Sequence, residues 1–123
     1  MEQIQKEVLI GFYKWQIIVK TFHFTTKYVV KHEAAGKYLD SFTEDYDKFM
    51  EVCMGHHGQI SIDHEFIIKI DKINDKNILD HITEFGKFLT SLRTVYADSP
   101  DLLNIRDEME ASLNRLVYLL KLK

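Results

Sequence analysis

A chain of 123 residues that is 46% hydrophobic and 28% charged is long enough to bury one core and too rich in apolar residues for a disordered chain. A formal charge of −3 with dispersed lysines gives no general electrostatic reason to bind nucleic acid, so that partner class is disfavoured. The lone Cys53 excludes an internal disulfide, the start has no signal-peptide pattern, and no apolar run approaches the roughly 20 residues that span a bilayer. One intracellular domain over residues 1–123, with no membrane partner, is expected.

Val8, Phe12, Trp15, Val19 and Phe22 alternate spacings of four and three, which predicts a helix from about Gln3 to Phe24 with one buried face and Gly11 as its weak point. Ala35, Leu39, Phe42, Tyr46, Phe49 and Cys53 repeat the pattern and predict a second helix from Val30 to Met54, capped by Gly55. The connection "GHHGQISIDHEFIIKIDKI", Gly55 to Ile73, alternates Ile60 and Ile62, then Phe66, Ile68 and Ile70, as extended backbone does. Such a segment needs a covering surface, either the bundle or a copy of itself. A third helix carries Ile78, Ile82, Phe85, Leu89, Leu92 and Tyr96, with Asn74 or Asp75 as N-cap and an end near Ala97. Ser99-Pro100-Asp101 opens a fourth, whose buried face is Leu102, Met109, Leu113, Leu116 and Leu120. The fold class is all-α. Short links make helices one and two, and three and four, antiparallel; the long crossover lets helices two and three run parallel in a four-helix bundle.

Around the second helix, Asp40, Glu44, Asp47 and Glu51 form a stripe beside the core face, spaced four, three and four. His32 falls on the boundary between the two stripes, and His23 lies within about 40° of core-facing Val19 on helix one. Iron and related divalent metals accept such mixed nitrogen and oxygen donors, and carboxylates neutralise the ion's charge. The alternative stays open: a solvated acidic stripe, a hydrogen-bonded His23, and His32 capping the start of helix two.

Other motifs carry less chemistry. "GHHG" with His64 reads as a polar turn with no regular ligand pair. Cys53 at an apolar position reads as a small buried hydrophobe, and the aromatic residues as core. Arg106, Glu108, Glu110 and Arg115 lie outside the apolar stripe of helix four and read as salt-bridged or solvated surface.

"FHFTTK" followed by "KHEAAGKYLDSFTEDYDKFMEV" resembles the first two helices of the Dps branch of the ferritin-like superfamily. His23 with Phe24 matches that branch's His-aromatic pair, His32 its second histidine, and Asp47 and Glu51 the acids of its iron-oxidising site. The His-aromatic-x-Thr-Lys turn and the ending "DLLNIRDEMEASLNRLVYLLKLK" look like a Dps-like family encoded by large DNA viruses and phages. The resemblance implies a ferritin-like bundle, a homo-oligomer, a host-cell or virion setting, and iron bound or oxidised between His23 and His32 of one subunit and Asp47 and Glu51 of its two-fold mate. The chain departs from the branch where an acid is usual four residues after the second histidine: here stands Gly36, with Glu33 or Asp40 one turn away. The histidines are also closer in sequence, the basic N-terminal extension is absent, and the chain is short for the branch. A metal-free structural or interaction protein, such as a virus-encoded assembly component, is the other reading.

Overall fold

The computed structural model describes residues 1–122. Four helices, α1 (Glu2–Thr25), α2 (Val29–His57), α3 (Ile78–Val95) and α4 (Pro100–Lys121), form a bundle, with no strand among the described residues. Helices α1 and α4 each pack against both α2 and α3, which leaves α2 and α3 on one diagonal. At one end of the bundle Thr26 Oγ1, in the α1–α2 turn, donates to Asp75 Oδ1 at 2.5 Å just before α3. At the other end Phe49 and Cys53 of α2 meet Tyr96, which follows α3. The diagonal helices therefore run in the same direction, and the chain between them travels the length of the bundle.

The predicted apolar faces are the core. Phe12, fully buried, has ring centroids 6.1 Å from Phe42, 5.4 Å from Phe49 and 5.5 Å from Phe88, and so ties α1 to both α2 and α3. Trp15 stacks on Phe85 at 4.8 Å and donates its indole Nε1–H to the Tyr38 hydroxyl at 2.7 Å. Burial pushes the Tyr38 hydroxyl far above the usual phenol range, which keeps it neutral as a hydrogen-bonding group. Gly11, the weak point of α1 by propensity, is where α3 comes close: a Cβ there would stand 2.5 Å from Phe88 Cε1.

Three local expectations are corrected. Helix α2 runs through Gly55 to His57 and ends at Gly58, whose φ of 90° is the conformation a side chain disfavours. Helix α3 is preceded by Asn77 rather than capped by Asn74 or Asp75; the Asn74 side chain instead accepts the N–H groups of Lys76 and Asn77 and shapes the turn before the helix. Arg106 is not on the surface but fully buried. Its guanidinium donates to Leu89 O at 3.2 Å, Asp107 Oδ1 at 2.6 Å and Glu110 Oε2 at 2.6 Å, and Arg93 also reaches Glu110 at 2.9 Å. The hydrogen bond from Arg106 holds the Glu110 carboxyl below the usual carboxylate range. A buried charge persists because it is paired on all sides.

The crossover packs across the bundle. Ile60, Ile70 and Ile73 rest against the core, and Phe66 stacks on Tyr13 of α1 at 6.5 Å.

Because Phe42 touches Phe12, Tyr38, Tyr46 and Phe85 and is 1% exposed, Phe42→Ala is expected to destabilise the bundle by about 3 to 5 kcal/mol. Urea unfolding of the two proteins measures the difference; equal midpoints would show that this ring is not part of the core.

Candidate functional site

The tight turn from Thr26 to Tyr28 brings the last turn of α1 against the first of α2, and with it His23 against His32. The two imidazoles stack with centroids 4.0 Å apart and planes 15° from parallel. Their backbone contacts are reciprocal: His23 Nδ1 lies 2.8 Å from His32 O, and His32 Nδ1 lies 2.7 Å from His23 O. A carbonyl only accepts, so each Nδ1 carries the hydrogen and donates it, and in the neutral ring each Nε2 keeps its lone pair. His23 O is one of the last carbonyls of α1, and the N–H of Lys27, which a longer helix would have sent to it, goes instead to Asp75 Oδ2 at 3.3 Å. His32 therefore caps the end of α1, not the start of α2 as one sequence reading expects.

The same clamp explains Gly36. A Cβ at this position would stand 2.9 Å from His23 Cε1 and 3.3 Å from His23 Nδ1. An acid at this position, the residue expected from the resemblance, is incompatible with the imidazole where it stands.

Asp47 and Glu51 occupy successive turns of α2, both exposed. Hydrogen bonding with Asp47 and the charge of that neighbour, one turn away, raise the Glu51 carboxyl above its ordinary value. Within one copy they are remote from the histidines. Fifteen and nineteen residues of helix separate His32 from Asp47 and Glu51, about 22 and 28 Å at 1.5 Å per residue. Among the described residues no three His, Cys, Asp or Glu side chains converge as a metal-holding group. The structure brings His23 to His32, sets Asp47 one turn from Glu51, and keeps the two pairs apart along α2.

The remaining candidates are structural. His56 Nε2 pairs with Asp101 at 2.8 Å, linking the end of α2 to the start of α4, and lowers the Asp101 carboxyl. His64 stands in solvent beside Asp63. Cys53 is buried, donates to the Tyr96 hydroxyl at 3.4 Å, and has its thiol pushed up by burial, away from the thiolate a nucleophile needs. Sequence reasoning missed the histidine clamp; the signal available was the combination of two histidines flanking a turn and a glycine four residues after the second.

Residues 23–120 match the Family of unknown function (DUF5856), and the chain belongs to that family. Comparison with curated proteins and with solved structures finds no match.

Gly36→Ala is expected to leave the bundle folded, with the roughly 0.5 to 1 kcal/mol gain of a helical alanine partly offset by repacking, while displacing the His23 ring. Long-range ¹H–¹⁵N spectra of the imidazoles test this: the wild type should show both rings as Nδ1–H tautomers, and the variant should lose that pattern at His23. An unchanged pattern in the variant would mean the clamp does not depend on the space at Gly36.

Proposed function

We propose that this protein is a Dps-like, ferritin-fold subunit that self-associates about a two-fold axis and takes Fe²⁺ as substrate between His23 and His32 of one copy and Asp47 and Glu51 of the partner subunit. The observation that carries this reading is the clamp: each imidazole spends Nδ1–H on a backbone carbonyl, the usual way a ligating histidine is oriented, and leaves Nε2 for a metal. The facing pair of acids supplies the negative charge that two neutral imidazoles lack. Oxidation would move one electron from each Fe²⁺ to dioxygen or a peroxide, with solvent supplying the protons to the reduced oxygen.

A two-fold axis crossing α2 between Asp40 and Ser41 sets His32 opposite the acids of the partner subunit, since that point lies midway between position 32 and the middle of the pair at 47 and 51. The exposed charges of α2 favour that antiparallel approach: Glu33 then meets Lys48, and Lys37 meets Glu44, across the interface. Exposed Ile17, Phe24 and Val29, at 44%, 69% and 72%, supply apolar surface near the same turn.

A second reading, a metal-free structural or interaction protein that a virus uses in assembly, draws support from Gly36, which stands where the resemblance expects an acid and leaves no room for one beside His23. Native mass spectrometry before and after anaerobic Fe²⁺ addition separates the two. The iron reading expects an even-numbered oligomer with a fixed ratio of iron per subunit, weakened about tenfold or more by Glu51→Gln, a change on an exposed helix face that leaves the fold intact. An oligomer that takes up no stoichiometric iron, or equal uptake by the variant, would favour the metal-free protein.

A further inference from the structure

Among the described residues, no backbone N–H or C=O between Gln59 and Asp71 hydrogen-bonds to another backbone group of the chain. The chain bends at His64 and then runs without turn or bend from Glu65 to Ile73. Along this stretch Phe66, Ile68 and Ile70 alternate with Glu65, Ile67, Lys69 and Asp71. The first set faces the bundle: Phe66 lies on Tyr13, and Ile70 packs against the core. The second set leaves Ile67 77% exposed, the most exposed large hydrophobic side chain among the described residues. An extended segment with a free hydrogen-bonding edge and a solvated isoleucine at its centre is a strand without a partner.

The geometry points to the same segment of a second copy as that partner, paired antiparallel with the two-fold axis through Ile67. Charge and exposure together select this arrangement. Centred on Ile67, Glu65 of one copy lies opposite Lys69 of the other, and the relation occurs twice by symmetry. The two Ile67 side chains then cover each other, and Phe66 pairs with Ile68 on the bundle side. A centre at Ile68 would oppose Glu65 to Asp71, a centre at Glu65 would oppose that acid to itself, and parallel in-register pairing would oppose every charge to its own kind. A centre at Ile70 would also oppose Lys69 to Asp71, but it would put on the axis a side chain that packs against the core and leave Ile67 away from its own copy. A centre at Phe66 needs Asp63 opposite Lys69, across the bend at His64. With Ile67 at the centre, Asp63 would fall opposite Asp71, but the same bend turns it out of the ribbon.

The ribbon needs a second copy and no metal, so it stands apart from the iron reading. The two are compatible in space: Tyr13, beneath Phe66, also touches Tyr46 of α2, which puts the ribbon on the α1–α2 side where the histidines and acids lie.

Engineered cysteines in the full chain test the register, because Cys53 is buried and the wild type controls for it. Cysteine at an on-axis position faces itself at a Cα separation of about 4.5 to 5.5 Å, within disulfide reach, whereas at position 71 the two copies lie about 27 Å apart. Under mild oxidation Ile67→Cys should form a disulfide dimer on a non-reducing gel and Asp71→Cys should not. Charge exchange tests the pairing without a new bond: Glu65→Lys should weaken dimerisation in light scattering by about tenfold, and Glu65→Lys with Lys69→Glu should restore it. The ribbon is overturned if Ile67→Cys links no faster than Asp71→Cys, if the double exchange fails to recover the dimer, or if the wild type is monomeric throughout. A dimer that binds iron with Ile67→Cys unlinked overturns the ribbon alone; a linked dimer that binds none overturns the iron reading alone.

Discussion

Phe12 is the contact on which the rest of the bundle is arranged. Its buried ring meets Phe42, Tyr46 and Phe49 on α2 and Phe88 on α3, so one residue of α1 fixes the spacing of two other helices. The approach to Phe88 is possible only because Gly11, the preceding residue, has no side chain to keep α3 away. The helix-propensity loss at Gly11, about 1 kcal/mol, is small beside the aromatic burial it permits. Helix α4 is held differently, by its leucine stripe and by Arg106, whose charge is enclosed by Asp107, Glu110 and the Leu89 carbonyl of α3.

What the chain's pattern discloses follows from how each feature is encoded. Apolar spacing is a direct consequence of helical geometry, and every predicted core residue from Val8 to Leu120 is buried except Tyr46, which is half-buried with its hydroxyl donating to Gln16. Arg106 was not legible because charge predicts solvent, while its burial depends on three acceptors contributed by α3 and α4 together. Glycine favours helix ends, which makes Gly55 the expected cap; the choice of Gly58 instead depends on where the crossover must leave the bundle, a tertiary fact. The candidate site divides in the same way. The acid pair is visible in an i, i+4 spacing, but the histidine clamp joins two helices through a turn whose geometry no periodicity reports.

The crossover and the histidine clamp answer to a common constraint. A bundle whose second and third helices run in the same direction must send a segment from one end to the other, and that segment crosses the face of α1. Asp75, near its end, takes the Thr26 hydroxyl and the Lys27 N–H. This contact diverts Lys27 from the α1 carbonyls and leaves His23 O for His32 to satisfy. The connection between distant helices thus shapes the hydrogen-bonding of the turn that holds both histidines.

A clamp with only a structural purpose needs one nitrogen per ring. Capping His23 O and fastening α1 to α2 use Nδ1 alone, and a side-chain amide of suitable length donates to a carbonyl as well as an imidazole does. What the imidazole adds is a second nitrogen on the far side of a ring whose orientation is already fixed, and among the described residues neither Nε2 makes a hydrogen bond. Toward the other end of α2, Asp47 and Glu51 hold two acids one turn apart, and among the described residues neither forms an ion pair. Each half supplies what the other lacks, neutral nitrogen against unneutralised oxygen, and a helix of this length keeps them too far apart to meet within one copy. In the proposed dimer, antiparallel pairing would join the halves and would make two equivalent sites at once, because a two-fold axis repeats every contact it creates.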